Sequence, residues 1–180
     1  DDLTYEGESV YNYLQVYEND EKVVLSTNVL FGVQSVYKKE TGLTGMYYDY
    51  AMAAPYMTGI NQKDKVNILI LGNGTGTYAT QCTRYFDNVE IAAVEIDQKI
   101  TDLAVEYFEL PEELDVATYD GRAYLNAINW PNPHGSNSDG IKNISVAAYI
   151  LCANVLSNLI LAETLSGYLY CKFLNVSSYQ

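Results

Sequence analysis

Residues 66–76 read VNILILGNGTG, and this stretch decides the fold class. Residues 66–71 are almost wholly apolar, which is typical of a strand covered on both faces of a parallel sheet. The five residues that follow are Gly72, Asn73, Gly74, Thr75 and Gly76. Residues 77–86 then have the composition of a helix. A glycine-rich turn between a buried strand and a helix lets the backbone approach a ligand closely, so the stretch predicts a nucleotide- or nucleoside-binding site.

The alternation of strand and helix continues downstream of this turn. Residues 89–94 and 114–118 predict two further strands, and residues 98–108 and 122–128 predict helices. This order is one half of a doubly wound, Rossmann-like α/β sheet. Because the crossovers of such a sheet are right-handed, the ends of the three strands should lie along one edge.

The chain ahead of the glycine-rich turn has a different pattern. Residues 1–44 are rich in aromatic and β-branched residues and predict a small antiparallel sheet. A helix is predicted over residues 49–57, interrupted at Pro55. We therefore expect an N-terminal β-rich domain over residues 1–58 and a Rossmann-like nucleoside-binding domain over residues 59–180.

The Rossmann-like pattern is incomplete after residue 128. Residues 130–140 predict a loop, residues 141–154 a helix, and residues 159–163 and 168–174 an antiparallel pair of strands. The fourth and fifth strands of a complete sheet are missing from this pattern, which would leave a gap beside the first strand. The explanations are an omitted stretch, an imperfect assignment of the tail, or a degenerate relative. The regular pattern of the preceding part favours the first two together.

Acidic residues stand where two strands of the predicted sheet end. Glu95 ends the second strand, roughly 20 residues after Gly72, where a carboxylate can accept hydrogen bonds from both hydroxyls of a ribose. Its alternatives are a helix cap or a solvated acid, but Asp97 is the better cap because it directly precedes the next helix. Asp120 ends the third strand, where it could meet an adenine amino group or simply form an Asp-Gly turn.

The ordered motifs resemble those of the spermidine synthase family of aminopropyltransferases. Three segments are similar to that family's motifs in order and spacing: residues 68–76 (ILILGNGTG), 94–97 (VEID) and 119–125 (YDGRAYL). Residues 11–16 (YNYLQV) resemble the family's Tyr-Gln-x-Ile strand, and residues 47–49 (YYD) resemble its Tyr-His/Gln-Glu site. The resemblance implies a class I methyltransferase-type sheet preceded by a small antiparallel β domain.

The same resemblance implies an activity and a set of site residues. A nitrogen of a polyamine such as putrescine would attack the carbon beside the sulfonium of decarboxylated S-adenosylmethionine, giving a longer polyamine and methylthioadenosine. The residues implied to bind the nucleoside co-substrate are Gly72, Asn73, Gly74, Thr75, Gly76, Glu95, Ile96, Asp120 and Gly121. The residues implied to line the donor and amine pocket are Asn12, Gln34, Tyr47, Tyr48 and Asp49. No metal is implied.

Several positions depart from the family pattern. Thr75 stands where the family often has an aspartate that grips the aminopropyl amine, Asn12 replaces a glutamine, and Tyr48 replaces a histidine or glutamine. The family's catalytic Asp-x-x-Asp loop is absent, because no acidic residue lies between Asp120 and Asp139. No general base can be identified, so the catalytic residues are unknown. A small-molecule methyltransferase that uses S-adenosylmethionine and a non-catalytic nucleoside-binding relative therefore remain alternatives.

The composition limits the class of partner. The chain of 180 residues is 48% apolar, enough for a core, and its net charge is −13 with only ten Lys and Arg. This charge gives no basic patch for nucleic acid. It would favour cationic partners such as polyamines, although acidity can equally serve solubility alone. The family resemblance implies a homodimer paired through the N-terminal β domain.

Cysteine spacing and hydropathy bear on the compartment. Cys82, Cys152 and Cys171 show no C-x-x-C spacing and predict buried free thiols rather than disulfides or a zinc site. Residues 143–162 carry no charge, but the polar residues inside the run favour a buried helix leading into a strand over a membrane span. A lone His134 in a loop predicts a surface residue. We expect a cytoplasmic protein, with a lost leader or anchor as the open alternative.

Overall fold

The computed structural model describes residues 2–28, 32–40, 42–53, 56 and 65–128, together with the backbone of residues 146–149 and 174–175. The described strands form two sheets. One is a four-stranded antiparallel sheet and the other is a five-stranded, mainly parallel sheet. The predicted domain boundary between residues 58 and 59 lies outside the described residues and stays a prediction.

The N-terminal sheet has its strands in chain order. They are β1 (Leu3–Glu8), β2 (Tyr13–Glu18), β3 (Lys22–Thr27) and β4 (Val33–Lys38). Each strand is antiparallel to its neighbours, so the predicted small antiparallel sheet is confirmed. Alternating side chains on β2 and β3, such as Leu14, Val16, Val23 and Leu25, are fully buried in a core beneath the sheet.

The second sheet has the strand order β7-β6-β5-β8-β9. Its strands are β5 (Val66–Leu71), β6 (Val89–Glu95), β7 (Val116–Thr118), β8 (Val146–Tyr149) and β9 (Leu174–Asn175). All six residues of β5 are buried, as expected for a strand in the middle of a parallel sheet. The three strands and two crossover helices that the sequence predicts in this region are confirmed, with bounds shifted by one or two residues.

Four helices are described. They are α1 (Tyr47–Ala51), α2 (Thr77–Tyr85), α3 (Gln98–Tyr107) and α4 (Gly121–Ala127). Asp97 precedes α3 and its side chain accepts the Lys99 N–H at 3.1 Å, so the predicted cap is confirmed. The apolar face of α3, with Ile100 and Leu103, belongs to the same buried cluster as Leu14 and Val16 of β2. The N-terminal sheet and the second sheet's helix layer therefore share a core.

The tail differs from its prediction at the fourth strand. A helix is predicted over residues 141–154, but residues 146–149 form β8, which runs parallel to β5 with Ile68 opposite Val146. The position beside the first strand is therefore filled, and the prediction of a missing fourth strand is wrong. A short apolar run cannot be assigned to helix or strand by periodicity alone, whereas an open edge beside a central strand strongly favours pairing.

The end of the sheet is closed by an antiparallel strand. β9 pairs with β8 and begins at Leu174, the last residue of the predicted strand 168–174. In the described part of the chain no fifth parallel strand occurs. The loop predicted at residues 130–140 and the strand predicted at residues 159–163 lie outside the described residues.

Cys82 lies in the core of the second sheet. It is a free, buried thiol, as predicted, and burial raises the pKa of its thiol to about 12. Cys152 and Cys171 lie outside the described residues. Among the residues that the structure describes, no helix is long and apolar enough to cross a membrane.

Candidate functional site

The glycine loop, residues 72–76, is held against the end of β6. The N–H groups of Gly72 and Asn73 both donate to the carbonyl oxygen of Val94, at 2.8 and 3.0 Å. Gly76 N–H donates back to Asn73 O at 3.0 Å and closes the turn. These bonds fix the loop at the carboxyl end of the parallel strands, where ligands bind in sheets of this type.

Gly76 shows why the loop needs glycine. Its φ of 81° is left-handed, a conformation that residues with a Cβ rarely adopt. A Cβ built at this position would also lie 2.1 Å from Leu110 Cδ1. A larger residue would therefore be strained and would push Leu110 away from the start of α2.

Glu95 is buried at the end of β6 and contacts the glycine loop. Its side chain is 5% exposed, and its carboxylate accepts the Gly74 N–H at 2.8 Å and the Asp97 N–H at 3.1 Å. Burial raises the pKa of Glu95 above its usual value, while these backbone hydrogen bonds oppose that shift. A carboxylate has about four acceptor sites, so the Glu95 carboxylate keeps the capacity to accept from hydroxyl donors such as those of a ribose.

The amide groups of the glycine loop all have partners within the protein. In addition to the bonds above, Thr75 N–H points to Ser35 Oγ at 3.5 Å. A phosphate cradle needs several backbone N–H groups that converge on the anion. In this structure the loop offers none, so the geometry supports an uncharged nucleoside edge rather than a pyrophosphate.

A small cleft lies between the N-terminal sheet and the glycine loop. It is lined by Gln34, Ser35, Tyr47, Tyr48, Asn73, Gly74, Thr77 and Tyr78. Three residues predicted for the substrate pocket thus meet two residues predicted for the co-substrate site. The lining also contains Ser35, Thr77 and Tyr78, which the sequence does not predict for the site. Strand alternation and helix periodicity assign these residues to strands and helices but do not show that they share a surface.

The walls of this cleft are joined at Val36 of β4. Val36 N–H donates to the Tyr48 hydroxyl at 2.9 Å, and its carbonyl oxygen accepts from Thr77 Oγ1 at 3.2 Å. These side chains satisfy the outer edge of β4, which would otherwise present unpaired backbone groups. The rings of Tyr47 and Tyr48 lie 4.6 Å apart, centroid to centroid, on the same wall.

Two buried polar side chains of the glycine loop lack a partner among the residues that the structure describes. Asn73 is 5% exposed, and neither its Oδ1 nor its Nδ2 is hydrogen-bonded to a described residue. Thr75 is 1% exposed, and within the same described ranges its hydroxyl has no partner. An unsatisfied buried polar group costs about 1–3 kcal/mol. Since Asn73 lines the cleft, a bound ligand with both a donor and an acceptor would satisfy its amide.

Three further predicted residues lie at the ends of β6 and β7. Ile96 is exposed directly after Glu95. Asp120 caps α4, because its Oδ1 accepts the Ala123 N–H at 2.8 Å. Gly121 begins α4 beside Leu71 of β5. Asp120 therefore has a capping contact in place of the simple Asp-Gly turn that was its alternative, and its contact with adenine stays a prediction.

The chain has sequence relatives among polyamine aminopropyltransferases. No family model matches the chain. The chain is 60% identical over 126 residues to a probable polyamine aminopropyl transferase of Bifidobacterium longum, which covers 69% of this chain and 27% of that protein. It is 31% identical over 107 residues to the polyamine aminopropyltransferase of Clostridium perfringens, covering 59% of this chain and 35% of that protein.

Solved structures share the fold. A probable spermidine synthase from Corynebacterium glutamicum superposes with a TM-score of 0.56 at 18% identity, covering 67% of this chain and 46% of that one. Spermidine synthase from Thermotoga maritima gives a TM-score of 0.54 at 19% identity, covering 69% and 43%. The resemblance to the spermidine synthase family is confirmed. The chain spans only 27% and 35% of the length of the curated relatives named above.

Two residues that the resemblance to spermidine synthases assigns to the substrate pocket do not line the cleft. Asn12 lies in the turn before β2, where its Nδ2 donates to Asp97 Oδ2 at 3.0 Å. The carboxylate of Asp49 accepts the N–H groups of Thr44 and Gly45 and the Thr44 hydroxyl, and so stabilises the start of α1. The structure therefore gives both residues contacts within the protein, long-range for Asn12 and local for Asp49, and their substrate contacts stay predictions.

Among the described residues, no group of three or more His, Cys, Asp or Glu side chains could hold a metal ion. His134 lies outside the described residues.

Proposed function

We propose that this chain acts as a spermidine synthase-like aminopropyltransferase. It would move an aminopropyl group from decarboxylated S-adenosylmethionine to a polyamine such as putrescine. Its curated relatives carry the name polyamine aminopropyltransferase. A spermidine synthase that shares its fold was crystallised with the transition-state analogue AdoDATO. Because the chain spans about a third of those curated relatives or less, the activity is a proposal for the protein as a whole.

The arrangement around Glu95 carries the proposal. Its buried carboxylate, already oriented by Gly74 N–H and Asp97 N–H, can accept hydrogen bonds from two ribose hydroxyls. Because the backbone N–H groups of the glycine loop already have acceptors within the protein, the loop suits a ligand without phosphates. Methylthioadenosine is such a nucleoside. Asp120 and Ile96, at the ends of adjacent strands, would lie on the adenine side.

The cleft next to Gly74 is the proposed place for the reacting groups. In the transfer, the amine nitrogen forms a bond to the carbon beside sulfur, the carbon–sulfur bond breaks, and its electron pair returns to sulfur. Positioning of the two reactants can supply much of the rate. Gln34, Tyr47 and Asn73 offer hydrogen bonds for that purpose. The described lining has no carboxylate, so the group that accepts the ammonium proton stays unassigned.

Methyl transfer is the second function that the sequence leaves open. Thr75, in place of an acid, is compatible with it. The names of the sequence relatives favour aminopropyl transfer instead. A non-catalytic nucleoside-binding role agrees with the fact that no general base has been assigned. The aminopropyl-transfer assay described below decides between this role and catalysis. Assembly as a homodimer and a cytoplasmic location follow from the resemblance alone and stay predictions.

The test is calorimetric titration of the full chain with methylthioadenosine. We expect binding by the wild type and a loss of at least about tenfold in affinity for Glu95→Gln, because a hydrogen bond to a charged group contributes roughly 1.5–3 kcal/mol. Glu90→Gln is the matched control, since Glu90 is on the same strand at its opposite end and forms a surface ion pair with Lys65. Binding justifies an aminopropyl-transfer assay with putrescine.

Two results of this titration would contradict the proposed nucleoside site. If the folded wild-type chain does not bind methylthioadenosine, or if Glu95→Gln binds as tightly as Glu90→Gln, the proposed nucleoside site is wrong. If the nucleoside binds but no aminopropyl group is transferred by the chain, the non-catalytic alternative gains support.

A further inference from the structure

The turn between β1 and β2 reaches across to the end of β6. Ser9 Oγ donates to Asp97 Oδ2 at 2.5 Å, and Asn12 Nδ2 donates to the same oxygen at 3.0 Å. Asp97 is only 2% exposed. A buried carboxylate must be hydrogen-bonded to be tolerated, so these two donors from the N-terminal sheet hold Asp97 in place.

Asp97 in turn contacts Glu95. Its backbone N–H donates to Glu95 Oε1 at 3.1 Å, while its own Oδ1 accepts the Lys99 N–H at 3.1 Å. Glu95 Oε2 is held from the other side by Gly74 N–H at 2.8 Å. Each oxygen of the Glu95 carboxylate thus has one fixed donor, and the donor on Oε1 belongs to the residue that the N-terminal turn anchors.

The amide of Asn12 is itself fixed. Asn28 Nδ2 donates to Asn12 Oδ1 at 2.8 Å, and Asn28 Oδ1 accepts the Tyr13 N–H at 2.9 Å. With its oxygen engaged by a donor, Asn12 must present its NH₂ group to Asp97. Ser9 Oγ likewise accepts the N–H groups of Tyr11 and Asn12. Its single proton has two acceptors in reach, Asn12 O at 3.3 Å and Asp97 Oδ2 at 2.5 Å, and Asp97 is the nearer.

We propose that Ser9, Asn12 and Asp97 form a clamp that sets the orientation of Glu95 toward the ribose hydroxyls. The turn between β1 and β2 thereby determines nucleoside affinity without touching the nucleoside. Ser9 and Asn12 are positioning residues in this clamp, acting through Asp97. The inference rests on the proposed function, because it takes Glu95 as the ribose-binding group.

The clamp explains why the N-terminal turn is polar at these two positions. Loss of one donor leaves a buried carboxylate oxygen of Asp97 short of a hydrogen bond, and the backbone at residues 96–97 is then free to move. Glu95 Oε1 would lose its fixed donor, and the acceptor sites left for the ribose would no longer converge. A displacement of about 1 Å at such a contact has a large effect on function.

The experiment compares two ligands across variants of the full chain. The ligands are methylthioadenosine and its 2′,3′-dideoxy counterpart, which lacks the hydroxyls that Glu95 would bind. We expect Asn12→Ala and Ser9→Ala to weaken methylthioadenosine about tenfold and to leave the dideoxy ligand unchanged. Asn88→Ala is the matched control, because Asn88 is an exposed residue just before β6, at the end away from the site.

A double variant sharpens the test. If Asn12 acts through Glu95, then Glu95→Gln combined with Asn12→Ala should bind methylthioadenosine no more weakly than Glu95→Gln alone. Unfolding midpoints are measured for every variant. Should Asn12→Ala fail to fold, Ser9→Ala removes the other donor to Asp97 Oδ2 and carries the same comparison.

The possible results separate the clamp from the site itself. Equal losses for both ligands indicate a merely structural role and overturn the clamp, as does unchanged binding of methylthioadenosine by the variants. Additive losses in the double variant overturn it as well. If the wild-type chain does not bind methylthioadenosine at all, the proposed function fails and the clamp fails with it.

Discussion

Among single residues, Glu95 combines deep burial with an ionisable group. Burial raises the pKa of Glu95 in the folded chain above its value in the unfolded chain, about 4.3. The folded state therefore keeps this proton to higher pH than the unfolded state. Folding stability from this group is fully present below the unfolded pKa and is lost as pH rises through the folded pKa.

This linkage gives a prediction for Glu95→Gln, which cannot ionise. The free energy of unfolding of the variant minus that of the wild type should increase as pH rises from about 4 toward neutrality. Urea unfolding of both chains at a series of pH values measures the difference. A difference that is flat or that decreases over this window would show that the carboxylate is better stabilised in the fold than its burial implies.

How well the contacts of a single residue could be predicted from the sequence depends on what determines those contacts. Asp97 could be predicted as a cap because helix capping is local. The position of Glu95 beside the glycine loop could be predicted because strand ends meet at one sheet edge, while its ribose contact stays a prediction. Asn12 and Asp49 were assigned by resemblance, which gives positions but not side-chain directions. Asp49 instead bonds to Thr44 and Gly45, a local pattern that an acid in the first turn of a helix could have suggested.

At the scale of elements, the alternation over residues 66–128 was readable because each strand is a short apolar run bounded by a turn residue and followed by a helix. The structure of residues 146–149 could not be predicted in the same way, since a short apolar run suits either a buried helix or a buried strand. These residues form a strand because they pair with the open side of β5, a long-range partner that the local sequence does not show. The cleft could not be predicted either, because its walls come from elements that are distant in the sequence.

The edge of β4 yields a prediction about the cleft wall. Tyr48 is buried and its hydroxyl accepts Val36 N–H at 2.9 Å, so Tyr48→Phe leaves that N–H without its acceptor. We expect a loss of about 1–3 kcal/mol in the free energy of unfolding. Tyr50→Phe, on the same helix but 65% exposed, is the matched control and should change stability by less than about 0.5 kcal/mol.

Urea unfolding monitored by circular dichroism measures both tyrosine variants. Equal stability of Tyr48→Phe and Tyr50→Phe would mean that the Tyr48 hydroxyl does not hold α1 against β4. The cleft that these two elements line would then lack the wall that the proposed function needs.

At the scale of the whole molecule, the two sheets are linked by more than the chain that joins them. Leu14 and Val16 of the N-terminal sheet share a buried cluster with Ile100 and Leu103 of α3. Tyr37 of β4 also donates a hydrogen bond to Glu109, just beyond α3, at 2.5 Å. Such contacts make the N-terminal sheet part of the site's frame, which is why a turn in that sheet can act on Glu95.

The pairing of β8 with β5 completes the larger sheet and can be tested directly. β8 lies between β5 and β9, and Ala147 is opposite Leu69. A proline at position 147 removes the backbone N–H and is poorly tolerated inside a sheet, whereas a glycine keeps the N–H and costs only about 0.5–1 kcal/mol. We expect Ala147→Pro to lower the free energy of unfolding by at least about 2 kcal/mol more than Ala147→Gly does.

Hydrogen exchange locates that effect in the sheet. In a parallel sheet, alternate amides of a central strand bond to each neighbour, so loss of β8 should speed exchange at some amides of Val66–Leu71 and leave others protected by β6. Ala147→Gly should retain both sets. Equal stability of the two variants, with unchanged protection of β5, would mean that residues 146–149 do not pair there. The edge beside the glycine loop would then be open to a strand from elsewhere in the protein or from a second chain.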